Sequence, residues 1–185
     1  MDLKDYIRVY PDSLDANVCK NILEAYKKDT PINYDQTMVK FDCVNITEEA
    51  DKDPNNHWAS IHNEILYCLQ AVGKRYMSDL QCEKYWPQRN SLEQIKLIHY
   101  RANEHFFNDH VDVGEHDSAR RFLAFFIYLN DVEEGGETNF GLLDHKVSAK
   151  QGSVLCFPPT WQYPHAGLTP VSNDKYVLTT YLHYL

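Results

Sequence analysis

The chain has 185 residues, 43% of them hydrophobic and 13% aromatic, with a formal net charge of −9 and a pI near 5.4. That length and apolar content suit one domain with a true core. The excess of 27 Asp and Glu over 18 Lys and Arg argues against a nucleic-acid backbone as partner, because phosphate contacts need clustered cations.

The N-terminal stretch MDLKDYIRVYPDSL is charged and has no apolar leader, and no apolar run approaches the roughly 20 residues of a membrane span. The expectation is therefore a soluble, cytoplasmic protein, without membrane or nucleic-acid partners, as a monomer or weak dimer. Five cysteines (Cys19, Cys43, Cys68, Cys82 and Cys156) are odd in number and scattered, with no Cys-x-x-Cys. They read as reduced and mostly buried thiols rather than as disulfides or a thiolate zinc site.

In chain order, YIRVY at 6–10 reads as a short strand. Asp15 then caps a helix in which Val18, Cys19, Ile22, Leu23 and Tyr26 recur at helical spacing. A second helix spans about 56–77, with Trp58, Ile61, Ile65, Leu69, Val72 and Tyr76 on one stripe. From about Ser91 the pattern changes to some eight short strands, EQIKLIHY, HFFNDHVD, RRFLAFFIYL, ETNF, HKVSA, GSVLCF, a segment around WQYPHAG, and KYVLTTYLHYL. Gly135-Gly136, Gly141, Gly152 and Pro158-Pro159 punctuate them. RRFLAFFIYL is apolar on both alternating faces and should be covered on both sides. These elements predict one mainly β domain over 1–185, a jelly-roll (cupin-like double-stranded β-helix) core at 91–185 and a helical support region at 1–90 that packs on one sheet.

The stretch NDHVDVGEHD at 108–117 carries the chemistry. In a strand, His110 and Asp112 point to the same side and can reach one metal from one strand end. The pair alone is weak, since nine histidines make roughly one His-x-Asp expected by chance. His62-x-Glu64, within the second helix, is a decoy, because a two-residue helical step sends the side chains apart. His165 in WQYPHAG is the best remaining ligand. Two His and one Asp make a facial triad that leaves three octahedral positions open, the arrangement of non-haem Fe(II) oxygenases. Lys175 opens the final strand ten residues after His165, and a hairpin between the last two strands would return it to the metal end as the one local cation for an anionic co-substrate. Tyr100 and Tyr128 fall on neighbouring strands. Trp161, Tyr163 and Trp86 either line a substrate groove or, as is commoner for such residues, pack in the core and at its rim.

Tyr100, His110-x-Asp112, YLNDVEEGGETNF from Tyr128 to Phe140, KQGSVLCF from Lys150 to Phe157, His165-Ala-Gly and Lys175 together closely resemble the 2-oxoglutarate- and Fe(II)-dependent dioxygenases, in particular their prolyl 4-hydroxylase-like branch. The resemblance covers roughly 100–184. It implies Fe(II) held by His110, Asp112 and His165, and 2-oxoglutarate chelating that iron through its C1 carboxylate and keto oxygen. It further implies a far carboxylate that meets Lys175 and the Tyr128 hydroxyl, with Tyr100 nearby, and O2 as co-substrate; ascorbate is a further candidate cofactor. The reaction so implied is hydroxylation of an unactivated C–H, on a peptidyl proline, with release of succinate and CO2. A free amino acid or other small molecule is the alternative substrate, and a non-catalytic sensor that binds iron and 2-oxoglutarate is the third reading. Val111, Tyr176 and the Arg120-Arg121 pair depart from the family's common pattern, and are expected to border the substrate mouth.

Overall fold

The computed structural model describes residues 2–53 and 55–185. Its strands, in chain order, are β1 (Arg8–Tyr10), β2 (Ile32–Gln36), β3 (Val39–Asn45), β4 (Asn90–Leu92), β5 (Lys96–Tyr100), β6 (Phe106–His110), β7 (Arg121–Tyr128), β8 (Thr138–Phe140), β9 (His145–Val147), β10 (Val154–Phe157), β11 (His165–Gly167) and β12 (Lys175–Tyr184). The helices are α1 (Ala16–Tyr26), α2 (Ile46–Lys52) and α3 (His57–Asp79). The strands are antiparallel and follow the order β1-β10-β7-β12-β5-β3-β6-β11-β8-β9, with β2 on β3 and β4 on the far end of β12. This is the expected mainly β, double-stranded β-helix architecture.

Strand alternation divides the apolar residues into two cores. Along β7, Leu123, Phe125 and Ile127 face outward and pack with Cys19 and Ile22 of α1 and Ile65, Leu69 and Val72 of α3. Ala124 and Tyr128 of the same strand face inward, where Phe41, Ile98, Phe140, Leu155, Phe157 and Val177 meet them. Strands β10 and β12 split the same way, Val154, Cys156 and Leu178 outward and Leu155, Phe157 and Val177 inward. The double-sided cover expected for RRFLAFFIYL is thus helices on one face and barrel interior on the other.

Both long helices start where their caps dictate. The Asp15 side chain accepts from Asn17 N, and the Asn56 side chain from Trp58 N and Ala59 N. The apolar stripe predicted for α3 is buried throughout, from Trp58 to Tyr76. Four of the five cysteines are buried, Cys82 is half-buried, and all are free.

The first 90 residues contribute more than helices. β1 pairs with β10, and β3 lies between β5 and β6, where it joins the two halves of the sheet. This β2–β3 hairpin and α2 lack a local signature. β2 is exposed at nearly every position, so it carries no apolar alternation, and the pairing of β3 is with distant strands. The final hairpin is a second difference. β11 pairs with β6 and β8, whereas β12 lies between β7 and β5, so the last two strands lie in different halves of the sheet and do not pair.

Phe125 ties the sheet to α3, with its ring tip 3.6 Å from the position a Cβ on Gly73 would take. Phe125→Ala should cost about 3–5 kcal/mol, because the truncated ring leaves a cavity that a helix and a sheet cannot both collapse into. Urea unfolding monitored by circular dichroism measures it; a loss under about 1 kcal/mol would contradict this packing.

Candidate metal centre and anion pocket

β6 and β11 are antiparallel neighbours in which His165 stands directly opposite His110. Two residues beyond the end of β6, Asp112 turns back toward the same point. One ligand atom from each of His110, Asp112 and His165 lies within 4.8 Å of the others, a separation one ion can bridge. His110 Nε2 is 3.6 Å from Asp112 Oδ1, and His165 Nε2 is 3.6 Å from Asp112 Oδ2.

Each histidine is oriented from its other nitrogen. His110 Nδ1 donates to the Asn108 carbonyl (2.8 Å), and His165 Nδ1 to the Tyr163 carbonyl (3.1 Å). A carbonyl only accepts, so the proton sits on Nδ1 and leaves the Nε2 lone pairs facing the gap. Phe107 stacks on the His110 ring at 3.6 Å, and Phe157 packs edge-on against His165 at 4.8 Å.

Within this apolar surround, Asp112 Oδ2 and His165 Nε2 are buried and have no hydrogen-bond partner. Buried polar atoms are nearly always paired, so two orphans side by side on the ligand atoms of a facial set are what a metal would satisfy. Burial pushes the Asp112 carboxyl up, but its contacts with His110, His165 and Tyr181 outweigh that and hold it below the usual carboxylate range. Burial lowers the His165 imidazole, which favours the neutral form a ligand needs.

Asp112 is braced by Tyr181, which the sequence reading passed over, and by Arg121, which it placed only at the substrate mouth. The Tyr181 hydroxyl donates to Asp112 Oδ1 (2.8 Å), and Arg121 Nη1 donates to the Asp112 carbonyl (2.9 Å). The rest of the Arg121 guanidinium clasps Glu93 through two bonds of 2.8 Å and lies 4.1 Å over the Tyr181 ring. A signal for Tyr181 was present. On a strand, every second residue from Lys175 shares a face, and Val177, Thr179 and Tyr181 all line the same cavity as Lys175.

That cavity has about 50 Å³ of free space and is lined by the triad, Tyr100, Phe126, Thr138 and Lys175. Lys175 enters it from β12, opposite Tyr100 in the β12–β5 register. It lines the same cavity as the triad although β5, β3 and β6 lie between β12 and β11 in the sheet. Its Nζ is 5.3 Å from the Tyr100 ring centre and 5.4 Å from that of Tyr128. Burial lowers its pKa to about 7, with the Glu137 carboxylate pulling it back up. The Tyr128 hydroxyl is engaged with Thr138 Oγ1 at 2.7 Å. Tyr100 packs over Gly167, where an added Cβ would come within 3.3 Å of its oxygen. Burial raises both phenols.

Beside Asp112 an open cleft of about 510 Å³ is bordered by Val111, Arg120, Arg121, Glu93 and His183. Tyr176 does not border it. It stacks on His99 at 4.3 Å on the outer, helix-covered side and meets Tyr26 edge-on, because on a strand it must face away from Lys175. Of the three aromatics weighed between groove and core, two take the commoner role of packing. Trp86 packs edge-on against Tyr76 and Phe122 in the outer core, Tyr163 is buried in the inner one, and Trp161 is 74% exposed.

Residues 95–183 match the sequence model of the 2OG-Fe(II) oxygenase superfamily. A protein of Acanthamoeba polyphaga mimivirus described as "putative prolyl 4-hydroxylase" is 26% identical over a region covering 52% of this chain and 47% of that protein. The chain thus spans about half the length of this curated relative. Among solved structures, the viral collagen prolyl hydroxylase of Paramecium Bursaria Chlorella virus-1 in its 2OG complex is similar with a TM-score of 0.70 at 19% identity, covering 97% of each chain. A Pseudomonas putida prolyl-4-hydroxylase is similar at 0.66 and 17%, over 97% of this chain and 93% of that one. A Trichoplax adhaerens prolyl hydroxylase in complex with a hypoxia inducible factor peptide fragment is similar at 0.71 and 13%, over 97% and 84%. Among the described residues no helix is long and apolar enough to cross a membrane. Residues 95–183 thus carry the sequence pattern of the 2OG-Fe(II) oxygenase superfamily, and the chain shares its fold with prolyl hydroxylases.

Proposed function

We propose that the protein is an Fe(II)- and 2-oxoglutarate-dependent hydroxylase that acts on a proline of an extended peptide. The observation that carries this reading is a metal-ligand triad with two orphaned atoms and a lone buried ammonium in one small cavity. The donor set fits Fe(II), since two neutral imidazoles and one carboxylate on one face leave positions for a chelating co-substrate and O2. Fe(II) bound with 2-oxoglutarate and O2 supplies the oxidising power to place oxygen on an unactivated C–H, with release of succinate and CO2.

The chain's own residues orient and shield. His110, Asp112 and His165 would hold the ion, with their Nδ1 bonds and the Tyr181 bond fixing the ligand directions. Lys175 would hold the distal carboxylate of 2-oxoglutarate, because an ammonium without a close anionic partner in an apolar barrel gains most from an entering anion. Tyr128 and Tyr100 wall that subsite, Phe107, Phe126 and Phe157 keep water from the triad, and the open cleft at Val111 and Arg120 admits a chain rather than enclosing a small molecule. Likeness in fold to prolyl hydroxylases, one of them with a peptide bound, supports proline as the target.

Incubated with Fe(II), 2-oxoglutarate and O2, the protein should release succinate slowly on its own and faster with proline-rich peptides, which gain one oxygen by mass spectrometry. His110→Ala, Asp112→Ala or His165→Ala should each abolish both. Oxygen gained only by free proline would move the substrate to small molecules.

Lys175→Ala should raise the KM for 2-oxoglutarate by about one to two orders of magnitude, the equivalent of roughly 1.5–3 kcal/mol for a charge-assisted bond. Lys175→Arg should keep part of the affinity, since the charge survives in a pocket shaped for an ammonium. An unchanged KM in the Ala variant would assign the carboxylate to another cation.

Proton linkage tests the same pairing. Unliganded Lys175 titrates near 7 against 10.5 when exposed, so the buried charge lowers folded-state stability fully below pH 7 and is relieved as pH rises from there toward 10.5. A bound carboxylate restores the ammonium. Above pH 7, 2-oxoglutarate binding should therefore take up close to one proton, and its affinity should fall with rising pH. Calorimetry in buffers of different ionisation enthalpy measures this uptake, and Lys175→Ala should lack it.

A further inference from the structure

The two oxygens of Asp112 stand in different situations. Each faces a ligand nitrogen at 3.6 Å, Oδ1 that of His110 and Oδ2 that of His165, but only Oδ1 receives a hydrogen bond, the Tyr181 hydroxyl at 2.8 Å, while Oδ2 has no partner. Tyr181 cannot swing away. Its ring lies under the Arg121 guanidinium at 4.1 Å, and that guanidinium is itself held by both Glu93 oxygens and by the Asp112 carbonyl. One rigid cluster therefore grips Asp112 at its backbone and at one carboxylate oxygen, and leaves the other oxygen free.

Resting on the metal reading above, we infer that Tyr181 is a positioning residue that keeps Asp112 monodentate. Its hydroxyl occupies Oδ1, so that Oδ2 alone is offered to the ion. The consequence is a count of open positions. An octahedral ion held by three protein atoms keeps about three positions for other ligands, and a carboxylate that closes on it through both oxygens removes one. A chelating co-substrate and O2 together need all three. Tyr181 thereby protects the last open position without touching it, and Arg121 and Glu93 set the angle at which it does so.

The Tyr181→Phe variant removes one oxygen atom and keeps the ring under Arg121. The probe is Mn(II), whose paramagnetism makes the water-proton relaxation rate report the number of exchangeable waters on the bound ion. With Mn(II) bound and no 2-oxoglutarate, the wild-type protein should show about three inner-sphere waters. Tyr181→Phe should still bind Mn(II) and lose about one third of that inner-sphere relaxivity, as the freed Oδ1 takes a water's place. Arg121→Gln releases the Tyr181 ring and the Asp112 carbonyl but neither carboxylate oxygen. It should lose a smaller share, and it decides the question if Tyr181→Phe does not fold. Wild-type relaxivity in the folded variants overturns the inference, as does a folded Tyr181→Phe that no longer takes up Mn(II), which would make the hydroxyl necessary for binding rather than for denticity. A wild-type protein that takes up no Mn(II) or Fe(II) overturns the metal reading itself.

Discussion

An ionised carboxylate and a lysine whose charged form burial disfavours sit inside one apolar barrel, and most of the site's construction answers that constraint. Moving either charge out of water costs several kcal/mol unless something pairs with it. Asp112 is paired on one side only, by the Tyr181 hydroxyl, with its second oxygen facing His165. Lys175 is surrounded by tyrosine faces. Such a barrel is stabilised by whatever brings a cation to Asp112 and an anion to Lys175. Ligand binding and folding are therefore linked through the same two residues, and each ligand adds stability in proportion to its occupancy.

The barrel tolerates these charges because its walls are stiff from both sides. Strands β7, β10 and β12 are each shared by two cores, so a shift that loosened the cavity would also unpack α1 and α3 from the outer face. Side chains that point inward from β7, β10 and β12 are locked by neighbours that point outward along the same backbone. The long helices, remote from the chemistry, thus set how closely the site is held. β3 joins β5 to β6, so a segment from the first quarter of the chain ties together two strands that line the site.

What could be read from the sequence followed the range of each interaction. His110 and Asp112 were legible because a strand places residues two apart on one side, and α1 and α3 because cap and stripe are local. The double-sided burial of β7 was legible because its alternation has no polar face. His165 and Lys175 were legible mainly through the signature around YLNDVEEGGETNF, and the route assigned to Lys175 was wrong, since spacing along the chain does not say which sheet a strand joins. The β2–β3 hairpin was invisible because β2 lies exposed and β3 earns its place only through distant partners. Tyr181 and the bond from Arg121 to Asp112 were missed for another reason. Aromatic and basic residues at strand ends are common, and only the fold shows that both converge on Asp112.

Tyr176 shows how the outer face governs the inner one. It flanks Lys175 and stacks on His99, whose Nε2 pairs with Asp174 at 2.7 Å, while Asp174 also accepts from Ala102 N at 2.8 Å. Asn130 then bonds the Asp174 carbonyl and the Tyr176 amide, at 2.8 and 2.9 Å. Both residues beside Lys175 are therefore fixed by polar contacts outside the cavity, where water and α1 share the cost of satisfying them. Lys175 itself needs no polar anchor within the barrel. Its backbone is positioned by its neighbours, and its ammonium is left without a competing bond, which is the condition under which a buried cation has most to gain from an incoming carboxylate.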